Sequence, residues 1–366
     1  MKGNSAMDTA PFAFIIHPIN VRRDVSHKFP LLAKAFSERQ LDFLSRFFPP
    51  VYISEIEGIR SLAHGGEAKG WFIACPFTPS VMMSLPVKAV YGKIVKCGEM
   101  AERLGAGIIG LGAYTSVVGD GGITIAERLK IPVTNGNAYT IFVAMQAIRK
   151  AAEVMGIKLS GASAAVVGAT GSIGKVCSEM IAEEVSELVL VGRNHESVLE
   201  IAARCKGRKA AIKAGCDVSM IYSSQLIITV TSQISAVVEP DHLRPGSVVL
   251  DVARPRDVSA RVAAARDDVL VIEGGMVDVP GQPDFHFDFG FPHGKSYACM
   301  AETIALALEG RLEDYTVGKE IERWRVEEIG GIAEKHGFRL SGFRSFEHAV
   351  TEEHIDRIKA KALKSS

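Results

Sequence analysis

Residues 164–174 have the sequence AAVVGATGSIG, a short apolar run followed at once by three glycines spaced three residues apart. The apolar run predicts a buried strand, and a helical pattern begins at Lys175. A glycine-rich turn in this context can hold a dinucleotide pyrophosphate, because the helix N-terminus offers unpaired N–H groups. This stretch therefore predicts a nucleotide-binding α/β domain.

Further apolar runs continue the alternation of strands and helices after this turn, at residues 188–191, 226–230, 248–252 and 269–272. This rhythm predicts a Rossmann-type, doubly wound parallel sheet. Upstream, strand-like and helical patterns also alternate, at residues 13–17, 31–48, 71–75, 87–104 and 107–111. The fold class is therefore α/β, with a Rossmann-type sheet, an N-terminal α/β substrate domain and C-terminal helices from residue 296.

The length of 366 residues favours more than one domain. We predict an N-terminal α/β domain that binds the substrate over residues 1–138 and a connecting helix over 139–160. An NADP-binding Rossmann domain follows over residues 161–292. The remaining residues, 293–366, form a C-terminal helical segment that carries a candidate nucleophile.

Composition narrows the class of protein. The net charge of zero argues against a broad nucleic-acid-binding surface. No run of 18 uncharged apolar residues occurs, so no membrane span is expected. Residues 1–11 lack the features of a signal peptide, and the six cysteines contain no CxxC pair. Neither a disulfide framework nor a metal site is indicated, and a cytoplasmic location is expected. A homo-oligomer is compatible with the sequence.

The glycine-rich turn predicts how a cofactor is held. Gly168 permits the tight turn, Gly171 lets the pyrophosphate approach the backbone, and Gly174 permits close helix–sheet packing. Thr170, Ser172 and Ile173 complete the binding turn. The GxxGxxG spacing is usual in NADP-type variants of the fold.

The ends of the later strands predict the rest of the cofactor site. The strand after the glycine turn ends in Gly192-Arg193-Asn194, without the acidic residue that accepts from an NAD ribose. Arg193, with Asn194 beside it, can pair with a 2′-phosphate, which favours NADPH. Further strand ends are expected to face the nicotinamide, namely Thr229, Thr231 and Ser232, and Gly275.

Cys299 precedes an apolar helical pattern at residues 304–308. If Ser296 is the N-cap, Cys299 is the third helical residue, where N–H groups and the helix dipole stabilise a thiolate. Cysteine is also often buried, so its position alone leaves core packing open. Tyr297 is either a donor to the substrate or a core aromatic. His17 follows the first predicted strand, where a lone histidine is more often structural.

Four segments carry a resemblance to a known family: residues 116–118, 134–140, 168–174, and 298–302 with the later 335–338. Over roughly residues 12–338 the chain resembles the long-chain acyl-acyl-carrier-protein reductases best known from cyanobacteria, which make fatty aldehydes. The resemblance implies that Cys299 is the nucleophile and that Gly168, Gly171 and Gly174 hold NADPH. Ser116, Asn137 and Tyr297 are expected to bind the substrate.

The function predicted on this basis is NADPH-dependent reduction of a fatty acyl thioester, on acyl carrier protein or coenzyme A, to an aldehyde through an acyl-cysteine. One alternative is a dehydrogenase of the shikimate or amino-acid type that acts directly on a small substrate and does not need Cys299. The other alternative is a non-enzymatic NADP-binding sensor.

Overall fold

The computed structural model describes residues 9–18, 21–233, 235–288, 290, 292–346 and 348–365, without the side chains of residues 23, 27, 28 and 365. In chain order the strands are β1 (Phe12–Ile16), β2 (Val51–Arg60), β3 (Glu67–Ala74), β4 (Ile108–Leu111), β5 (Val133–Thr134), β6 (Ser163–Val167), β7 (Glu187–Val191), β8 (Ala211–Gly215), β9 (Leu226–Thr229), β10 (Val248–Asp251), β11 (Leu270–Glu273), β12 (Met276–Asp278), β13 (Gly281–Asp284), β14 (Lys295–Tyr297), β15 (Arg339–Leu340), β16 (Arg344–Ser345) and β17 (His348–Ala349).

The α-helices, in the same order, are α1 (Val21–Lys28), α2 (Pro30–Ala35), α3 (Glu38–Ser45), α4 (Pro79–Ser84), α5 (Val87–Leu104), α6 (Tyr114–Val117), α7 (Ile123–Ala126), α8 (Asn137–Met155), α9 (Ser172–Ile181), α10 (His195–Cys205), α11 (Ala260–Ala265), α12 (Ala298–Glu309), α13 (Arg323–His336) and α14 (Glu352–Ser365). Within the described part of the chain, no helix combines the length and apolarity that a membrane crossing requires.

Contacts divide the chain into two compact units. Unit 1 comprises residues 1–139, 277–319 and 324–339, and unit 2 comprises residues 140–276, 320–323 and 340–366. The helix that carries Cys299 therefore belongs to unit 1, to which the chain returns at Val277, within β12. The four consecutive domains expected from the sequence stay a prediction.

Unit 1 is built on a six-stranded sheet with the order β13-β2-β3-β1-β4-β5. Strand β1 pairs in parallel with β3 and β4, whereas β2 and β13 run antiparallel at one edge. The central strand is apolar along its length because both faces of the sheet are covered. Helix α5 packs against β1 and β3, and the almost fully buried helix α12 packs against β1, β3 and β4.

Unit 2 is built on a six-stranded sheet with the order β11-β10-β9-β6-β7-β8, and its neighbouring strands are parallel. Its first strand, β6, lies between the second and the fourth, so the strand order reverses at β6. This is the Rossmann arrangement, which binds ligands at the carboxyl ends of the strands beside the reversal. The structure thus confirms the predicted α/β fold class.

Two local features differ from the sequence prediction. The single helix expected over residues 31–48 is two helices, because the Ser37 side chain accepts from the backbone N–H of Gln40 and starts α3 with a reciprocal capping box. Strands β2 and β8 were not predicted. Both alternate buried or half-buried residues with exposed, often charged residues, and neither is a continuous apolar run.

Two helical glycines test how closely α9 packs. A Cβ at Gly174 would overlap the carbonyl oxygen of Gly168, whereas a Cβ at exposed Gly331 in α13 would meet open space. We expect Gly174→Ala to lower the free energy of unfolding by about 1–3 kcal/mol through overpacking. The matched control Gly331→Ala should raise it by about 0.5–1 kcal/mol. Denaturant unfolding of both variants measures the difference, and equal effects would contradict the close approach.

Candidate active site

The glycine-rich turn of unit 2 lies between β6 and α9. Gly168 has a left-handed φ of 87°, and a Cβ there would lie 2.8 Å from the carbonyl oxygen of Val230. The turn closes on itself, since the N–H of Gly171 donates to the carbonyl of Gly168 at 3.0 Å. Only glycine therefore suits positions 168 and 174.

The start of α9 fits an anionic group. Gly171 is the N-cap of this ten-residue helix, and no side chain caps its first N–H groups. Ser172 and Ile173 form its first turn and are half-buried, as is Thr170 before them. Exposed backbone N–H groups at a helix start are what a cofactor pyrophosphate requires. The dinucleotide site at these residues stays a prediction.

Arg193 and Asn194 follow β7. Arg193 is exposed, so its guanidinium is accessible to a ligand. Asn194 is the N-cap of α10, and its side-chain oxygen accepts from the N–H of Ser197 at 2.9 Å. Asn194 therefore has a capping role that the sequence analysis did not assign, and Arg193 is the freer of the two for binding.

The strand ends expected at the nicotinamide are organised by Asp257. Its carboxylate accepts from the Thr229 hydroxyl at 2.5 Å, from the Thr231 N–H at 2.7 Å and from the Thr231 hydroxyl at 2.5 Å. Both threonine hydroxyls therefore donate within the protein. Ser232 is exposed beside them, and Gly275 is buried after β11 with a left-handed φ of 78°.

A second buried carboxylate, Asp251, supports the same edge from the end of β10. It accepts from the N–H groups of Ala253, Asp257 and Val258 at 3.1, 3.3 and 3.0 Å. Burial raises the pKa of Asp251 to about 6, although Arg254 opposes the rise. Burial likewise raises the pKa of Asp257. The sequence analysis missed Asp257, whose only signal was its position shortly after a strand end.

Cys299 lies in unit 1, at the beginning of α12. Tyr297, and not Ser296, is the N-cap, because α12 begins at Ala298; Cys299 is therefore the second helical residue. Burial raises the pKa of the Cys299 thiol to about 12, and the charge of Glu302 adds to the rise. The thiol is thus protonated at neutral pH, in contrast to the thiolate that its position alone favours.

The backbone N–H groups of Met300, Ala113 and Cys299 itself lower the pKa of this thiol and so oppose the rise. Ala113 has a φ of 46°, a left-handed conformation that is rare for alanine. On another side, a Cβ at Gly136 would overlap the Cα and Cβ of Cys299. Backbone donors near the sulfur are able to stabilise negative charge there.

Glu302 fixes the loop that contains Gly136. The carboxylate is buried and accepts from the hydroxyls of Thr134 and Thr316, the latter at 2.7 Å. It also accepts from the N–H of Tyr139 at 2.7 Å and from that of Gly136. Because each carboxylate oxygen is engaged, Glu302 holds the loop against the start of α12 and is not free to act as a base.

The predicted substrate-binding residues lie on segments that border Cys299. Ser116 is buried, and its hydroxyl donates to the carbonyl of Ala113 at 2.6 Å. Asn137 is buried and follows Gly136, and Tyr297 caps the Cys299 helix. Of the other neighbours in sequence, His293 is exposed and Lys295 pairs with Asp278.

The Rossmann-type sheet, the glycine-rich turn after β6 and the uncapped start of α9 are typical of a nicotinamide-dependent oxidoreductase. The family model described as "Shikimate / quinate 5-dehydrogenase" matches residues 149–273, about a third of the chain. The match falls within unit 2 and so concerns the nucleotide-binding part. It agrees with the predicted nicotinamide cofactor.

The curated proteins that are similar to this chain include the following three. The chain is 29% identical over 301 residues to the aminotransferase PigE of Serratia sp. (strain ATCC 39006), covering 81% of this chain and 35% of that protein. It is 27% identical to the long-chain acyl-[acyl-carrier-protein] reductase of Synechococcus elongatus, covering 87% of this chain and 94% of that protein. It is 26% identical to the glutamyl-tRNA reductase of Haloquadratum walsbyi, covering 50% of this chain and 39% of that protein.

Asp251 gives a pH prediction. A carboxyl whose pKa rises from 3.8 to about 6 on folding stabilises the fold while it is protonated. That contribution, about 3 kcal/mol, is lost as the pH rises from about 4 to about 7. We expect the free energy of unfolding of the wild type to fall over this interval relative to that of Asp251→Asn.

Urea unfolding at several pH values measures this difference. The matched control is Asp241→Asn, which makes the same chemical change at an exposed position. Its stability should follow that of the wild type throughout. Parallel pH profiles for the wild type and Asp251→Asn would contradict the prediction.

Proposed function

We propose that this protein is an NADPH-dependent reductase that converts a fatty acyl thioester to a fatty aldehyde through an acyl-Cys299 intermediate. The carrier of the acyl group is acyl carrier protein or coenzyme A. The observation that carries the proposal is the position of Cys299 in the first turn of α12, where the N–H groups of Ala113, Met300 and Cys299 lower the pKa of the thiol. Six free cysteines fit a reducing compartment, and we assign the activity to the cytoplasm.

In the first step the Cys299 sulfur attacks the thioester carbonyl carbon. The thiol loses its proton, the bond from the acyl carbon to the carrier sulfur breaks, and the carrier leaves as a thiol that takes up a proton. The N–H groups of Ala113, Met300 and Cys299 stabilise the negative charge of the sulfur as the proton departs. Because burial disfavours the thiolate, these donors act mainly when charge develops in the reaction.

In the second step the acyl group is reduced and released. NADPH, when bound, supplies a hydride to the acyl carbon. The bond between that carbon and the Cys299 sulfur breaks, the aldehyde leaves, and the sulfur takes back a proton. Gly168, Gly171 and Gly174 would hold the pyrophosphate, and Asp257 keeps the ends of β9 and β10 in a fixed arrangement.

Two relatives support the choice of substrate class. The names of the reductases from Synechococcus elongatus and Haloquadratum walsbyi both describe an acyl group joined to a carrier, acyl carrier protein or tRNA. The first similarity spans nearly the whole of both chains, whereas this chain spans about a third of PigE. A fatty acyl thioester is therefore favoured over a small free substrate.

The first test replaces the nucleophile. Cys299→Ala should abolish aldehyde formation while NADPH binding persists, because the covalent intermediate cannot form. Intact-protein mass spectrometry after incubation with acyl thioesters, without NADPH, should detect the added acyl group on the wild type only. A series of chain lengths on each carrier would identify the preferred substrate.

Cys216→Ala is the matched control, because it removes an exposed cysteine outside the proposed site. This variant should acylate and reduce like the wild type. Full activity of Cys299→Ala, or acylation that depends on Cys216, would contradict the proposed mechanism.

The second test concerns cofactor choice. Arg193→Ala should weaken NADPH binding by about tenfold or more, since a charge-assisted hydrogen bond contributes about 1.5–3 kcal/mol. NADH has no 2′-phosphate, so its binding should change little. Fluorescence titration with both cofactors measures the ratio, and equal losses for both would contradict the assignment.

The alternative is a dehydrogenase that acts directly on a small substrate, which the family match to unit 2 favours. Such an enzyme would not need the sulfur. Alkylating Cys299 before the assay separates the two, because only thioester reduction should be lost.

A further inference from the structure

The left-handed residue beside the Cys299 sulfur is held by its neighbours. Ala113 has φ 46° and ψ −120°, a conformation that is strained for a non-glycine residue. Its N–H lowers the pKa of the Cys299 thiol. A strained conformation persists only where surrounding contacts enforce it, so the contacts of this turn decide whether the N–H keeps its effect on the sulfur.

Both polar groups of the peptide unit that follows are engaged. The carbonyl of Ala113 accepts from the Ser116 hydroxyl at 2.6 Å and from the Ser116 N–H at 3.1 Å. On the other side of the same peptide bond, the N–H of Tyr114 donates to Nε2 of His17 at 3.0 Å. Hydrogen bonds therefore hold both the carbonyl and the N–H of this peptide unit, and His17 accepts the one from outside the turn.

The hydrogen bonds of His17 determine its tautomer. Nε2 accepts from a backbone N–H and must carry no proton, whereas Nδ1 lies 3.1 Å from the carbonyl oxygen of Pro18 and must donate. Burial lowers the pKa of His17 and keeps the ring neutral, despite opposing effects from Pro18 and Asp24. The ring also contacts the Tyr114 ring edge-on, with centroids 6.4 Å apart.

We propose that His17 is a positioning residue that, through the N–H of Tyr114, holds the strained Ala113 so that its backbone N–H stabilises the reacting sulfur of Cys299. The proposal rests on the proposed function of Cys299 and assigns to this site a donor, Ala113, and its support. In this role His17 acts through the Tyr114 N–H and exchanges no proton with the sulfur. The histidine that the sequence suggested was merely structural thus acts on the reactivity of the thiol.

The experiment compares His17→Ala with His17→Gln by the rate of iodoacetamide alkylation at Cys299, followed by peptide mass spectrometry at several pH values. His17→Ala should slow alkylation of Cys299 about fivefold, the effect of one neutral hydrogen bond, and move the pH profile upward. His17→Gln should stay within about twofold of the wild type, because its amide oxygen can accept from Tyr114. Exposed Cys216 is the internal control and should react equally in each protein.

Unchanged alkylation of Cys299 in His17→Ala would overturn the proposal, as would a failure of Gln to rescue it. A third variant, Ala113→Gly, relieves the strain at position 113. His17→Ala should therefore slow alkylation of Cys299 less in the Ala113→Gly background than in the wild-type background. Equal slowing in both backgrounds would also overturn it.

If His17→Ala does not fold, nitrogen-15 NMR of the His17 ring in the wild type provides the test, because it identifies the protonated nitrogen. The proposal requires a neutral ring protonated on Nδ1 at pH 7, and a proton on Nε2 would overturn it. None of these measurements uses a thioester or NADPH. If the wild type is not acylated by thioesters, the proposed function is refuted. The alkylation rates and the NMR result test only the role of His17.

Discussion

The buried carboxylate of Glu302 is the interaction on which the surroundings of Cys299 depend. A charge removed from water is tolerated only where donors replace its hydration. Here two threonine hydroxyls and two backbone N–H groups do so, and they come from segments far apart in sequence. Satisfying one side chain therefore fixes the path of the loop at residues 134–139 and the segment at Thr316 against the start of α12.

The same carboxylate sets the resting state of the thiol. Its charge and the burial of the site raise the pKa of Cys299, whereas the backbone N–H groups of Met300, Ala113 and Cys299 lower it. The balance favours a protonated thiol in the absence of substrate. Unit 2 follows a similar rule, because Asp251 and Asp257 are buried and bound by backbone N–H groups and threonine hydroxyls. In each unit, buried carboxylates fix the backbone next to the candidate residues of that same unit.

The fold could be predicted where one local pattern dictates one element. Residues 164–174 predict β6 and the turn after it, although α9 begins at Ser172 and not at the predicted Lys175. Helix α5 occupies the predicted residues 87–104. Half-exposed β2 could not be predicted, because it forms by pairing with β3. The left-handed turn at Ala113 has no local signal, since glycine or asparagine would be expected there. The assignment of the Cys299 helix to unit 1 likewise depends on contacts distant in sequence.

Gly136 limits how this site can change over evolution or in engineering. Its own φ of 75° disfavours any side chain, and a Cβ there would overlap the backbone of Cys299. The wall of the site on this side is therefore main chain, which point substitution cannot widen, narrow or recharge. Variation in substrate range must arise on other segments, and diversity among related chains should concentrate away from position 136.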